Sequence, residues 1–133
     1  MSHIQILVVD DDPDDHLILL EYFRDTGNES FVKFLENGQK AIDYLNTVQD
    51  EATLPNLIVL DLNMPILNGT QTLLQIKRDA RLKGIPVIIF STSDNDNERR
   101  KCLSFGALDY VVKPITYDEG LTMIEKFNSH IVK

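Results

Sequence analysis

The 133-residue sequence predicts an α/β fold: a doubly wound (βα)5 three-layer sandwich around a five-stranded parallel sheet. Three observations carry that prediction. Five short apolar runs alternate with five longer segments of helical period. The third run, at 56–60 (NLIVL), stays apolar after Asn56, as a strand buried on both faces requires. The segments between runs are about ten residues or longer, enough for the right-handed crossovers that join parallel strands.

In order, 4–9 (IQILVV) is a strand that stops abruptly at carboxylates. A helix follows from Pro13, with Leu17, Leu20 and Phe23 near one core-like face, and closes at Gly27-Asn28. Residues 31–35 form the second strand, and 39–48 a helix through Ala41, Ile42 and Leu45. After the third strand, the loop 61–68 leads into a helix carrying Leu73, Ile76 and Lys77. The fourth strand is 86–90 (PVIIF), followed by a helix at 98–105. The fifth strand is 108–112 (LDYVV), and the closing helix runs from 117 to about 131. No linker, repeat or low-complexity stretch interrupts the series, so one domain over 1–133 is expected, with no output domain.

Composition narrows the function. The 21 acidic against 13 basic residues give a net charge of −8, which argues against a nucleic-acid-binding face. The apolar runs are strand-sized, far short of the roughly 20 residues of a membrane span, and no signal peptide is expected at the N-terminus. A single cysteine, Cys102, excludes an internal disulfide and suits a reducing, cytoplasmic compartment; it reads as a small packed side chain rather than a redox thiol.

Ligands of a doubly wound sheet bind beyond the carboxyl ends of its strands. There the sequence places Asp10, Asp11 and Asp12 after strand one and Asp61 after strand three. Ser91 and Thr92 follow strand four, and Lys113 and Pro114 follow strand five. Clustered carboxylates repel one another, and a hard divalent cation relieves that repulsion; oxygen ligands with water suit Mg²⁺. A carboxylate can attack a phosphoryl donor, while Mg²⁺, Lys113 and Ser91 neutralise the transferred oxygens. Asp61, alone at the end of a central strand, is the nucleophile candidate, and Asp10 with Asp11 suits the metal. Singly, each has a plain structural reading: Asp12, Asp14 and Asp15 as helix caps, Asp61 as a turn residue, Lys113-Pro114 as a strand stop. His16 reads as a surface histidine, because Mg²⁺ prefers oxygen. His3, His130, and the tyrosines and methionines other than Tyr110 read as surface or packing residues.

The segments LVVDDDPDD (7–15), NLIVLDLNMPILNG (56–69), PVIIFSTS (86–93) and GALDYVVKP (106–114) resemble the response-regulator receiver domain, a flavodoxin-like fold, over roughly 3–132. The resemblance implies that Asp61 is the phosphoacceptor, and that Asp10, Asp11, Asp61 and the Asn63 carbonyl surround Mg²⁺. It further implies that Lys113 pairs with the phosphoryl oxygens, and that Ser91 and Tyr110 form the switch, the ring turning inward when Ser91 is drawn to the phosphate. Pro65 and Gly69 match the loop after the acceptor, and Pro114 is expected to follow a cis peptide. The phosphodonor implied is a histidine kinase or a histidine phosphotransfer protein, received by the first helix. Output would pass to an unknown partner, or along a relay, through the fourth helix, fifth strand and fifth helix; the same face is the expected homodimer surface. The chain is similar to small stand-alone receivers, including those working with bacterial phytochromes.

Three other classes compete. A pseudo-receiver would lack Asp61, Lys113 or the acidic pair, and none is missing. A haloacid-dehalogenase-like phosphatase needs an acid two residues after the nucleophile, where this chain has Asn63. A flavin-binding module needs a phosphate loop after strand one, where carboxylates would repel the ligand.

Overall fold

The central apolar runs become strands buried on both faces, while the two edge runs, nearer the solvent, form strands that are largely half-buried. The computed structural model describes residues 5–27 and 31–130. Among the described residues there are five strands: β1 Ile6–Val9, β2 Val32–Leu35, β3 Leu57–Asp61, β4 Val87–Ser91 and β5 Asp109–Val112. They alternate with α1 Pro13–Asp25, α2 Gly38–Thr47, α3 Gly69–Arg78, α4 Asp96–Ser104 and α5 Tyr117–Ser129, with a short 3-10 turn at Glu51–Thr53. All pairings are parallel and the order is β2-β1-β3-β4-β5, so the expected doubly wound sandwich is what forms. Ile4, Asn28, Ile131 and His3 lie outside the described residues.

Alternation along each strand divides the core into two layers. Leu7, Val9, Ile58, Leu60, Val87 and Ile89 pack with Ala41 and Leu45 of α2 and with Leu73 and Ile76 of α3. Ile6, Val8, Leu57, Val59, Ile88 and Phe90 point the other way, onto Leu19 and Phe23 of α1 and Met123, Ile124 and Phe127 of α5. Each fully buried Leu, Ile or Phe contributes roughly 1.5–3 kcal/mol of transfer free energy, so these two layers dominate stability. Cys102 sits inside the first layer, its thiol pKa raised by burial and then by Glu98, which fits the packing reading.

The expected core stripe of α1 needs correction. Leu19, Tyr22 and Phe23 are the buried residues; Leu17 is 66% exposed and Leu20 half-buried. The run Leu17 to Leu20 is apolar at four successive positions, so spacing alone fits more than one stripe, and docking on β1 and β3 selects the one through Leu19. No described helix is long and apolar enough to cross a membrane.

Candidate functional site

The sheet order reverses between β1 and β3, and this crevice holds the acidic residues. Val9 pairs with Leu60, so the next residues, Asp10 and Asp61, stand side by side. Asp61 is itself the last residue of β3, and Ser91 the last of β4, one position further along than polarity suggests. Ladder hydrogen bonds belong to the backbone, so a polar side chain at a strand end does not break them. Lys113 follows β5 and donates its N–H to the Ser91 carbonyl at 2.7 Å.

Carboxylate oxygens of Asp10, Asp11 and Asp61 lie within 4.8 Å of one another, Asp11 being exposed and the other two buried. Burial chiefly, with help from Asp15 and Asp61, pushes the Asp10 carboxyl up to about 7, against the opposing Asp12 N–H and Lys113. Asp61 is raised for the same leading reason, burial, with the Asp11 charge adding to it and Lys113 and the Asn63 N–H opposing. Asp10 Oδ1 accepts from the Asp12 N–H at 2.9 Å. Its Oδ2 lies 3.2 Å from Lys113 Nζ yet is not aligned for a hydrogen bond, so this buried oxygen has no hydrogen-bond partner among the described residues. An all-oxygen donor set with an orphaned buried carboxylate oxygen fits a hard divalent cation such as Mg²⁺.

Lys113 is shared among three acids: Asp15 at 2.6 Å, Asp10 at 3.2 Å and Asp61 at 3.6 Å. Burial alone would lower its pKa; the hydrogen bond it donates to Asp15 and the charges of Asp10 and Asp61 outweigh burial and raise it. Asp15, which reads from sequence as a helix cap, is one of two residues at the site that the sequence does not point to. Its partner is 98 positions away, and no periodicity reports a contact that distant. Asp12 is the actual N-cap of α1, accepting from the Asp14 N–H at 2.9 Å. His16 is not a free surface residue either: its Nε2 is hydrogen-bonded to the Asp10 carbonyl and its ring lies 5.1 Å from Phe34, pinning the β1–α1 loop. His130 is the C-cap of α5.

The loop after Asp61 is tight. Asn63 and Pro65 are exposed, and Leu67 N–H bonds the Pro65 carbonyl at 2.7 Å across Ile66, whose φ of 69° is rare for a β-branched residue. Asn68 and Gln71 form a capping box that starts α3. A Cβ on Gly69 would stand 2.2 Å from the Asp61 carbonyl oxygen, so only glycine lets α3 begin this close to the end of β3. The cis peptide expected before Pro114 is absent: every described peptide bond is trans, the isomer X–Pro bonds favour by about 0.5–1 kcal/mol.

Tyr110 is buried on β5, its hydroxyl within hydrogen-bond reach of two acceptors for its one proton, the Ser93 carbonyl at 2.7 Å and Glu98. Ser91 is also buried, and its Oγ donates to Glu98 Oε1 at 3.3 Å. Glu98, like Asp15, was not singled out from sequence.

Fold and acidic crevice together define a doubly wound α/β module of the receiver type, and the comparison with known families agrees: the response regulator receiver domain model matches residues 6–125, so the chain belongs to that family of two-component systems. Among curated relatives, the two-component response regulator ORR13 of Oryza sativa subsp. japonica is 39% identical over 117 residues, covering 86% of this chain and 90% of that protein. Among solved structures, the phosphorylated cyanobacterial phytochrome response regulator RcpA superposes with a TM-score of 0.82 at 27% identity, covering 98% and 94% of the two chains. The Mn(2+)-bound form of response regulator Rcp1 follows at 0.77 and 28%, covering 93% and 91%.

Proposed function

We propose that the chain is a phosphoacceptor switch that takes a phosphoryl group from histidine onto Asp61. The observation that carries this reading is the convergence of the Asp10, Asp11 and Asp61 carboxylates within 4.8 Å, with Lys113 Nζ 3.2 Å from Asp10 and 3.6 Å from Asp61. An Asp61 carboxylate oxygen attacks phosphorus, an O–P bond forms, and the N–P bond of phosphohistidine breaks with its electron pair leaving on the imidazole, which takes up a proton. Asp10, Asp11, Asp61 and the Asn63 carbonyl are the residues that would hold Mg²⁺. When bound, the ion neutralises charge on the phosphoryl oxygens. Lys113 contributes a second positive charge and Ser91 a hydroxyl donor to the same oxygens. RcpA in its phosphorylated form and Rcp1 with Mn(2+) support the acceptor and the metal by likeness of fold and sequence.

The donor, a histidine kinase or phosphotransfer protein, docks on α1. Leu17 and Ile18 are 66% and 47% exposed there, and Ile115 of the β5–α5 loop is 93% exposed, giving an apolar rim beside the acidic crevice. Phosphorylation biases the α4–β5–α5 face, including Tyr110, toward a state with a different affinity for the output partner or for a second copy.

Incubation with a phosphorylated histidine phosphotransfer protein is expected to transfer one phosphoryl group to the chain as an alkali-labile acyl phosphate. Because Leu17 lies outside the core, Leu17→Asp is expected to slow this transfer roughly tenfold or more while transfer from acetyl phosphate stays unchanged. An acid-labile, alkali-stable product would point to histidine instead of Asp61. Equal slowing with both donors would remove α1 as the docking element.

A further inference from the structure

The Ser91 hydroxyl has one proton to give, and in this structure it goes to a carboxylate on α4. Ser91 is 1% exposed, and Glu98 Oε1 at 3.3 Å is its one acceptor among the described residues. The same Oε1 accepts from the Tyr110 hydroxyl, so one oxygen ties the end of β4 and the first half of β5 to α4. Tyr110 has a second acceptor in the Ser93 carbonyl at 2.7 Å, whereas Ser91 has none. Arg99 donates Nη1 to the Tyr110 carbonyl at 3.2 Å and lies 4.9 Å over its ring, fixing the aromatic independently of Glu98. Glu98 also lines a cleft with Leu62 and Asn63, the two residues after Asp61.

Resting on the assignment of Asp61 as acceptor, we infer that Glu98 is a positioning residue that controls how readily the Ser91 hydroxyl turns to a phosphoryl group on Asp61. One proton cannot serve both acceptors, and an ionised acceptor holds it more strongly than a neutral one. The orientation of Ser91 that serves phosphoryl transfer is then only a fraction of the population, and the rate carries that fraction as a factor. A phosphoryl group on Asp61 adds a charge of about −1.5 to −2 near the cleft, competes for the Ser91 proton and repels the Glu98 carboxylate. Glu98 then releases β4 while Tyr110 keeps its bond to Ser93, so the chemistry at Asp61 is passed to the start of α4.

The test is a double-mutant cycle read by intact mass during phosphorylation with acetyl phosphate and Mg²⁺. Glu98→Gln keeps the shape and removes the charge, and is expected to speed phosphorylation roughly fivefold, the difference between a charged and a neutral acceptor. In a Ser91→Ala background the same substitution is expected to change nothing. An unchanged rate in Glu98→Gln, or an equal acceleration without the Ser91 hydroxyl, overturns the role of Glu98 and leaves the acceptor assignment intact. A wild-type protein that gains no phosphoryl group overturns the acceptor assignment and this inference with it.

Discussion

Lys113→Ala is expected to slow phosphoryl transfer to Asp61 by about 100- to 1,000-fold, the usual cost of removing one preorganised charge-stabilising donor from a buried site. The Lys113 side chain is 14% exposed and its ammonium sits 2.6–3.6 Å from Asp15, Asp10 and Asp61, so no other described cation replaces it there. The same change has an opposite effect on metal affinity. Lys113 and a divalent cation compete for the charge of the same carboxylates, so its removal is expected to tighten Mg²⁺ binding several-fold. Rate from intact-mass time courses and affinity from calorimetric titration therefore move in opposite directions. A merely structural lysine would weaken both together, and that result would contradict the assignment.

The second large effect is on stability against pH in the absence of metal. The Asp10 carboxyl sits at about 7 in the folded protein because burial disfavours its charge, against an ordinary value of 3.8. Between those values the folded state holds a proton that the unfolded state has lost, so stability falls as pH rises. The shift corresponds to on the order of 4 kcal/mol lost between acid and pH 8, with Asp61, also raised, adding in the same direction. Asp109 opposes the trend: burial pushes its carboxyl up, but the Lys126 ammonium and the Tyr110 N–H hold it down. Its contribution is present above its unfolded pKa and is lost only as pH falls through its lowered folded value, so it leaves neutral pH untouched. Urea unfolding in EDTA is expected to show a higher midpoint at pH 5.5 than at pH 8, and Asp10→Asn is expected to flatten that difference. Mg²⁺ at 100 times its dissociation constant should restore about 2.7 kcal/mol at pH 8. A midpoint in EDTA that is equal or higher at pH 8 would contradict this account of the acidic cluster.

Much of this was legible in the order of residues. Strands at 57–61 and 87–91 announce themselves because runs such as LIVL and VIIF have no polar side to show water, and only a sheet covered on both faces accommodates that. Once the sheet is parallel and doubly wound, Asp10, Asp61, Ser91 and Lys113 must share one rim, since each closes or follows a strand. What sequence could not show is which neighbour each charged group selects. Lys113 takes Asp15 of α1 as its nearest acid, and Ser91 takes Glu98 of α4; both choices depend on how helices settle on the sheet. The α1 stripe failed for a related reason, because apolar residues at four successive positions leave the buried side to be chosen by docking. The trans Lys113–Pro114 bond departs from what the family resemblance implied, and local sequence leaves the isomer open because the two differ by about 0.5–1 kcal/mol.

The central claim, that Asp61 accepts a phosphoryl group in a metal-dependent reaction, is tested most directly by intact mass after incubation with acetyl phosphate. Wild-type protein and Asp61→Asn are compared with Mg²⁺ and with EDTA. A gain of one phosphoryl group in wild type with Mg²⁺ alone, absent from Asp61→Asn and from EDTA, is the predicted result. A gain that survives Asp61→Asn, or one indifferent to metal removal, would contradict it.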